Sequence, residues 1–222
     1  MTERQWQIAQ DSLLPLLKAG VAFTIPLAAI SFVLGLLVAV LTALARLYGP
    51  KPLQLLAQFY VWIIRGTPLL VQLFILFFGL PKVGIILDPF PAAVIGFTIS
   101  VGAYGSETVR AAILSIQRGQ WEASYALGMT RWQALRRTVL PQAARVATPT
   151  MASAFISLVK DTSLAFSITV SEMFQKSQQI VSTTYEPLLL YVEVALVYLL
   201  FSSVLSFGQA RLERYFDRYH VR

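Results

Sequence analysis

The longest uncharged segment of the chain lies near its N-terminus. No Asp, Glu, Lys or Arg occurs between Lys18 and Arg46. A helix rises about 1.5 Å per residue, so about 20 apolar residues cross the hydrocarbon core of a bilayer. A cleavable signal peptide would have a shorter apolar region that ends at a small-x-small cleavage site, and no such site closes this segment. The sequence therefore predicts a membrane-spanning helix over residues 19–45.

The composition also indicates an integral membrane protein. Hydrophobic residues make up 56% of the 222-residue chain and charged residues 13%, about half the charged fraction of a typical soluble domain. The chain has no Cys and a single His, His220. Thiolate nucleophiles, Cys-based metal or cluster sites, imidazole metal sites and Ser-His triads are therefore excluded. We predict no catalytic residue and no metal site in this chain.

Four further apolar segments are long enough to cross a bilayer. They cover residues 59–80, 91–116, 146–168 and 187–210. We therefore predict an all-α integral membrane protein with five transmembrane helices. Its predicted parts are an N-terminal extracytoplasmic segment (1–15), a transmembrane domain (16–210) that contains a long loop (117–145), and a C-terminal cytoplasmic tail (211–222).

The basic residues are distributed unevenly between the two sides of the predicted membrane domain. The first and third connections and the C-terminal tail hold eleven Lys and Arg, whereas the N-terminus and the other two connections hold four. Loops that are rich in Lys and Arg face the cytoplasm, so we predict that the N-terminus is outside and the C-terminus inside. These cations flank the membrane rather than cover one folded face, so no nucleic-acid partner is predicted.

The loop 117–145 is predicted to contain two short helices. Gly128 is typical of the left-handed residue that follows a helix end, and Thr130 with Gln133 has the spacing of a capping box. Pro141 is expected to end or kink the second helix. The loop places Trp and other apolar side chains on the water side, and such a surface requires a partner. A short helix that lies in a hydrophobic groove is one common solution.

The same loop contains a spaced motif formed by Glu122-Ala123-Ser124, Gly128 and Leu140-Pro141. Its order and spacing resemble the EAA loop of type I ABC importer permeases. In that family the loop contains a coupling helix that docks into a cleft on the cytoplasmic ATPase. The resemblance implies an ATPase-coupling role for Trp121, Glu122, Ala123, Ser124, Leu127 and Gly128.

Two positions depart from the family pattern in this loop. Ser124 stands where the third residue of the motif is usually Ala, and Thr138 stands where Ile usually precedes the Leu-Pro pair. Both replacements are small or similar in bulk, so the expected docking role is retained.

Three more motifs resemble the polar amino acid branch of this family. They cover residues 65–72, 103–110 and 157–164. The second motif usually has Ala at the positions of Gly105 and Ser106. The segments 120–123 and 140–146 are most similar to those of cystine permeases. The resemblance extends from about Leu13 to Arg211 and implies the fold of a type I importer permease.

Several ionisable residues lie within predicted spans, where charge is costly and marks protein interiors or wet cavities. The adjacent Lys160 and Asp161 point about 100° apart on a helix, so each requires a separate partner. An amino acid carries one ammonium and one carboxylate, and Asp161 is our candidate for the ammonium. The proposed neighbours in this site are Lys160, Ser157, Thr162, Ser163 and Thr67.

A structural role for these charges remains an open alternative. Lys160 and Asp161 can equally hold helices together. Glu107 and Arg110 are three residues apart on one helix face, and we expect an internal ion pair. Arg65, near the end of its span, is expected to extend to the lipid headgroups.

The resemblance implies one subunit of an ATP-driven amino acid importer. A five-helix bundle is thin, so a two-fold dimer would place the pathway on its axis. The implied partners are an identical or paralogous permease, an ATPase dimer that binds ATP and Mg²⁺, and an extracytoplasmic binding protein that delivers a polar amino acid, with cystine as a candidate. The implied location is the bacterial inner membrane.

The chain itself has no phosphate-binding loop of the Gly-x-x-x-x-Gly-Lys-Ser/Thr type, so it is not expected to hydrolyse ATP. We expect alternating access that is driven by the ATPase of the partner. Two alternatives are a membrane enzyme, and a passive channel or assembly subunit without ATP coupling. The first lacks a nucleophile beside a base, and the second does not explain the apolar loop.

Overall fold

The computed structural model describes residues 2–217, and the regular elements of this part of the chain are helices. The α-helices are α1 (Glu3–Ala19), α2 (Ile25–Tyr48), α3 (Lys51–Gly66), α4 (Leu69–Phe74), α5 (Pro89–Ser115), α6 (Arg118–Ala126), α7 (Arg131–Ala134), α8 (Leu140–Asp161), α9 (Met173–Thr184) and α10 (Pro187–Asp217). The predicted tail 211–222 therefore begins as helix, and Arg218, His220 and Arg222 lie outside the described residues.

One long helix forms the N-terminal part of the fold. A π-helical turn at Gly20–Thr24 joins α1 to α2, and the combined helix has 46 residues. It begins at a capping box, in which Thr2 and Gln5 each accept a hydrogen bond from the backbone N–H of the other. The helix thus begins well before residue 19, and most of the predicted N-terminal segment 1–15 is continuous with it.

The second predicted span is sharply bent. α3 and the helical segment that begins with α4 meet at an angle of 106°. Pro68 has no N–H and disfavours the helical conformation at Thr67. Gln72 stabilises the bend, because its Nε2 donates to the carbonyl oxygens of Ile64 (2.9 Å) and Thr67 (3.1 Å). The predicted span 59–80 therefore contains a sharp bend at Thr67-Pro68, and its crossing of the membrane stays a prediction.

Glycines allow α2 and α5 to pack closely. A Cβ on Gly35 of α2 would lie 2.6 Å from the Cβ of Val101, and a Cβ on Gly102 of α5 would lie 2.6 Å from Val38 Cγ1. Small residues at such positions let helix backbones approach each other inside a membrane. α8 packs against this pair, so the three helices form the scaffold of the fold.

The two short helices predicted in the loop are confirmed as α6 and α7. A π-helical turn at Leu135–Val139 connects α7 directly to α8, and the helix from Arg131 to Ile168 is continuous over 38 residues. Pro141 lies directly after this π-helical turn, a local widening of the helix of the kind at which helices accommodate irregularities. The helix therefore does not end at Pro141, which was one of the two outcomes expected at this position.

The connection between α8 and α10 is ordered. α8 continues into a 3₁₀-helix at Thr162–Ile168, and α9 follows. Glu172 is the N-cap of α9, and its carboxylate accepts hydrogen bonds from the backbone N–H groups of Phe174 (2.8 Å) and Gln175 (2.6 Å). The Tyr198 hydroxyl of α10 donates to the same carboxylate at 2.5 Å. This buried carboxylate therefore connects α9 to α10.

Three continuous helices of the described residues are long and apolar enough to cross a membrane, and the bent pair that includes α3 brings the number to as many as four. The three helices are Glu3–Tyr48, Arg131–Ile168 and Pro187–Arg211. α5 has 27 residues and carries Glu107 and Arg110. The all-helical membrane fold is thus confirmed, whereas the count of five spans stays a prediction.

Candidate functional site

A polar cavity of about 570 Å³ opens between α2, α5 and α8. The bend after α3 places the end of that helix at the cavity wall. The polar residues of the lining are Arg65, Ser100, Tyr104, Glu107, Thr108, Ser157 and Asp161. Charged and hydroxyl groups thus share one cavity between helices that are otherwise apolar.

Glu107 is the centre of an ion cluster at the cavity wall. Its Oε1 lies 2.7 Å from Arg46 Nη1, and its Oε2 lies 3.0 Å from Arg110 Nη2. A third guanidinium, that of Arg65, lies 3.4 Å from Oε1. The predicted ion pair of Glu107 with Arg110 is confirmed. α2 and α3 each add an arginine, Arg46 and Arg65, that was not predicted to contact Glu107.

Arg65 lies against the cavity rather than reaching away from the protein. Its guanidinium is 5.5 Å from the ring centroid of Tyr104, a distance typical of a cation–π contact. Its side chain is 46% exposed, compared with 14% for Arg46. The expectation that Arg65 extends to the headgroups is replaced by contacts with Tyr104 and Glu107.

Two of the six predicted substrate-site residues line the cavity. Asp161 and Ser157 are part of its lining, and both are exposed to it. They lie four residues apart on α8, which places their side chains on one helix face. The carboxylate predicted to bind the ammonium therefore faces a space that can hold a small molecule.

The other four predicted residues lie outside the cavity lining. Thr162 is fully buried and its hydroxyl donates to the Val159 carbonyl at 2.7 Å. Thr67 belongs to the bend, where its hydroxyl donates to the Ile63 carbonyl at 2.9 Å. Lys160 and Ser163 are also absent from the lining. The structure therefore does not bring these four side chains to Asp161 within the cavity.

A second cavity, of about 710 Å³, is almost entirely apolar. It lies between the same three helices, and Phe32 and Met151 line both cavities. Thr148 is the one hydroxyl-bearing residue of its lining. Apolar walls do not compensate the loss of hydration of a zwitterion, so we assign the candidate site to the polar cavity.

The predicted coupling loop presents a short exposed helix, α6. Its C-terminal end is a Schellman motif, because the Met129 N–H donates to the Ser124 carbonyl (3.1 Å) and the Gly128 N–H to the Tyr125 carbonyl (2.9 Å). Gly128 has a φ of 78°, which confirms its predicted left-handed conformation. Leu127, next to it, is 78% exposed.

The six predicted coupling residues divide between two faces of α6 and its C-terminal end. Glu122, Ala123, Leu127 and Gly128 are exposed. Ser124 is 3% exposed and faces the rest of the chain, and Trp121 packs against a buried apolar cluster that includes Leu135 and Val139. The predicted capping box of Thr130 and Gln133 is confirmed.

Among the side chains that the structure describes, no group of three or more His, Cys, Asp or Glu is arranged to hold a metal ion. The charged groups at the site are instead paired with each other or exposed to the cavity. The charged and hydroxyl groups of the cavity can bind a small polar solute.

The comparisons identify the family. The model of the family described as binding-protein-dependent transport system inner membrane component matches residues 31–218. The chain belongs to this family. It is 49% identical over 215 residues to the L-cystine transport system permease protein TcyB of Bacillus subtilis (strain 168), a match that covers 96% of this chain and 92% of that protein.

Two further similarities are close. The chain is 40% identical to the probable amino-acid ABC transporter permease protein PatM of Vibrio harveyi, over 93% of this chain and 96% of that protein. The fold matches a chain in the crystal structure of an amino acid ABC transporter with histidines with a TM-score of 0.88 at 31% identity, covering 96% of this chain and 99% of that chain. The expected ABC importer permease fold is thereby confirmed.

Family membership makes this chain the inner-membrane component of a binding-protein-dependent transport system. The chain is a transport subunit and not an enzyme, as predicted. The cavity side chains are consequently interpreted as groups that bind or pass a solute.

Several polar residues of the cavity wall were not predicted as site residues from the sequence. Ser100, Tyr104 and Thr108 recur every four residues along α5 and line the cavity together. A polar stripe with this spacing on a membrane helix indicates a face turned away from lipid. That spacing was the available signal. The contribution of Arg46 has no comparable signal, because α2 meets α5 only in the folded chain.

Proposed function

We propose that this permease carries a polar amino acid, with L-cystine as the first candidate, through the polar cavity by alternating access. The observation that carries the proposal is the Asp161 carboxylate, which is exposed to a cavity of about 570 Å³ between membrane helices. The substrate class agrees with the printed names of two relatives, a cystine permease and an amino-acid ABC transporter permease.

Asp161 is proposed to bind the substrate ammonium. No ion pair of Asp161 occurs among the described side chains, so its carboxylate is available to a cationic group. A charge-assisted hydrogen bond between ammonium and carboxylate is stronger than a neutral one. Ser157 lies one helical turn away and supplies a hydroxyl that can donate or accept. We restrict the proposed contacts on α8 to these two residues.

The exposed side of α6 is proposed to dock on a cytoplasmic ATPase. Glu122, Ala123 and Leu127 present a carboxylate, a small residue and a large apolar side chain. Leu127 at 78% exposure is an unpartnered apolar group outside the bilayer, which is typical of an interface. Trp121 and Ser124 are proposed to anchor α6 to the permease, so that movement of the ATPase is transmitted to α8.

The remaining parts of the assembly follow from the family. We propose a second permease subunit, identical or paralogous, an ATPase dimer that binds ATP and Mg²⁺, and an extracytoplasmic binding protein. The N-terminus is proposed to be outside and the C-terminus in the cytoplasm, which places α6 on the side of the ATPase. ATP hydrolysis in the partner would then change which side of the membrane the cavity faces.

The substrate proposal is tested in proteoliposomes that contain the permease with its ATPase and binding protein. Uptake of radiolabelled L-cystine is measured, with a panel of unlabelled amino acids as competitors. We expect Asp161→Asn to raise the apparent KM at least about tenfold while basal ATPase activity is retained. Asp11→Asn, on the exposed side of α1, is the matched control. An unchanged KM in Asp161→Asn, or uptake without ATP, would contradict the proposal.

The docking proposal is tested with Glu122→Lys. We expect this variant to insert into the membrane normally but to lose most uptake and most substrate-stimulated ATPase activity. Glu3→Lys, which makes the same charge change at the exposed start of α1, is expected to retain both. Normal uptake by Glu122→Lys would rule out the docking role of this face.

A further inference from the structure

Arg65 is the most weakly neutralised of the three arginines around Glu107. Each oxygen of Glu107 already has a closer guanidinium partner, Arg46 on Oε1 at 2.7 Å and Arg110 on Oε2 at 3.0 Å. Arg65 shares Oε1 with Arg46 at the longer distance of 3.4 Å. One carboxylate therefore faces three guanidinium groups, and the cluster carries an excess of positive charge.

The excess charge is turned toward the cavity by Arg65. Its side chain is 46% exposed, compared with 35% for Arg110 and 14% for Arg46. Arg65 also lines the cavity, whereas Arg46 and Arg110 do not belong to the lining. The face of Tyr104 lies beneath its guanidinium, with 5.5 Å between the guanidinium carbon and the ring centroid. The ring supports the guanidinium without using its N–H donors.

The bend after α3 explains why a guanidinium occupies this position. α3 ends at Gly66, directly after Arg65, and the chain turns through 106° before α4. Arg65 therefore occupies a helix end at the cavity wall rather than the middle of a lipid-facing helix. A Cβ on Gly66 would meet no atom within 4 Å, so the space beside Arg65 is open.

The cavity thus has two charged poles that do not neutralise each other. Asp161 and Arg65 both line it, and the ion pairs of the described side chains do not include one between them. If these two side chains formed an ion pair with each other, the cavity would offer a solute only a neutral contact. Because they do not, a zwitterion can pair its ammonium with Asp161 and its carboxylate with Arg65.

We infer that Arg65 binds the α-carboxylate of the transported amino acid whose ammonium is bound by Asp161, and exchanges its contact with Glu107 for the substrate. A planar guanidinium binds carboxylates through two parallel hydrogen bonds, and the contacts of Arg65 leave such donors free. Arg46 and Arg110 keep Glu107 neutralised when Arg65 turns to the substrate. This inference rests on the proposed function, in which the cavity holds a polar amino acid.

The test measures binding to the purified permease–ATPase complex without the binding protein, so that only the cavity selects the ligand. The probes are L-cystine, L-glutamine and L-arginine, together with L-cystine dimethyl ester and the methyl esters of the other two amino acids, all of which retain the ammonium groups but lack the α-carboxylates. We expect the wild-type complex to bind at least one free amino acid at least about tenfold more tightly than its ester. Equal affinity of acid and ester in the wild type would overturn the inference without any variant.

Arg65→Gln supplies the second measurement. It is expected to bind the acid at least about tenfold more weakly and the ester with unchanged affinity, which removes the discrimination between them. Arg136→Gln, which makes the same change at an exposed arginine outside the ion cluster and the cavity lining, is the matched control and is expected to keep the acid-to-ester ratio of the wild type. Because the readout is a ratio, a reduced amount of folded protein does not alter it.

The outcomes separate this inference from the proposed function. Weak acid binding in Asp161→Asn, together with an unchanged acid-to-ester ratio in Arg65→Gln, would overturn the role of Arg65 and leave the amino acid site in place. Absence of binding of all three free amino acids to the wild-type complex would overturn both. If Arg65→Gln does not assemble, Arg65→Lys is used, and an acid-to-ester ratio equal to that of the wild type would contradict the need for a guanidinium.

Discussion

Ser124 and Thr138 are hydrogen-bonded through their hydroxyl groups, with the two oxygens 3.0 Å apart. These are the two positions at which the loop 117–145 departs from the family pattern. Ser124 lies on α6 and Thr138 on the π-helical turn before α8, so the contact joins α6 to the long helix that contains α8. The two departures from the pattern are therefore linked. The hydrogen bond between Ser124 and Thr138 replaces the Ala and Ile side chains that are usual at these positions.

This pairing predicts non-additive effects of substitution. Ser124→Ala leaves the Thr138 hydroxyl without this partner, and Thr138→Ile places an apolar group against the Ser124 hydroxyl. We expect each single change to lower stability by about 1 kcal/mol and the double change to cost less than the sum by about 0.5–1.5 kcal/mol. Thermal unfolding of the purified complex measures this coupling. Additive effects would show that the two hydroxyls act independently.

Loss of the Glu107 carboxylate is expected to destabilise the fold. Glu107→Gln leaves three guanidinium groups at one site without a counter-charge, and an uncompensated charge inside a membrane protein is costly. Removing one partner of a buried pair costs about 3–5 kcal/mol, and we expect roughly 2–4 kcal/mol here because Arg65 and Arg110 are partly exposed. The apparent Tm should fall by at least about 5 °C. Glu3→Gln is the control, and an equal Tm in both variants would contradict the prediction.

The contact of α2 with α5 predicts that Gly35 tolerates no side chain. A Cβ there would lie 2.6 Å from Val101 Cγ1 and 3.2 Å from the Thr98 carbonyl oxygen. We expect Gly35→Ala to lower stability by about 1–3 kcal/mol, as overpacking does. Gly208→Ala on α10, where a Cβ meets nothing within 4 Å, is expected to leave the Tm unchanged or slightly raised. Thermal unfolding of both variants in detergent measures this difference, and an equal Tm for Gly35→Ala and Gly208→Ala would contradict the prediction.

Glu172 predicts a pH-dependent stability of the connection between α8 and α10. Burial raises the pKa of this carboxyl from 4.5 to about 7, against the opposing hydrogen bonds from Tyr198, Phe174 and Gln175. The folded protein then holds the proton between about pH 4.5 and 7 while the unfolded chain has released it, so stability falls as the pH rises through this window. Each pKa unit corresponds to about 1.4 kcal/mol, so protonated Glu172 contributes about 3 kcal/mol to the stability of the folded protein below about pH 4.5. This contribution is lost above about pH 7.

The measurement compares the Tm of the wild type and Glu172→Gln from pH 4.5 to 8. The amide of Gln does not titrate, so the difference between the two profiles isolates this carboxyl from the other acidic groups. We expect the wild type to gain stability relative to the variant as the pH is lowered from about 7. Parallel profiles would show that Glu172 does not change its protonation in this range.

Gly128 and Thr130 illustrate what short-range rules predict correctly. The left-handed conformation after α6 and the capping box before α7 depend on the conformational freedom of one glycine and on hydroxyl and amide groups three residues apart. Both are confirmed. Pro141 shows the limit of such rules. The proline was predicted to end or kink the helix, yet the helix continues beyond Pro141 after a π-helical turn.

Asp161 and Thr162 are adjacent in the sequence but have different surroundings in the structure. Both were assigned to one site, yet Asp161 faces the cavity and Thr162 is fully buried with its hydroxyl bound to the backbone. Successive residues of a helix point about 100° apart. Which of them faces a cavity depends on where α2 and α5 pack, and this information is absent from the local sequence.

The apolar segments were enough to determine a membrane-embedded helical protein, because hydrophobicity acts over the length of one helix, and the spaced motifs indicated the importer permease family by resemblance. The tertiary structure alone decided the polar cavity and the ion cluster. Arg46 and Glu107 are 61 residues apart and Arg65 comes from a third helix, so their meeting depends on the close packing at Gly35 and the bend at Pro68. Side chains on separate helices acquire a common chemistry only when those helices pack together.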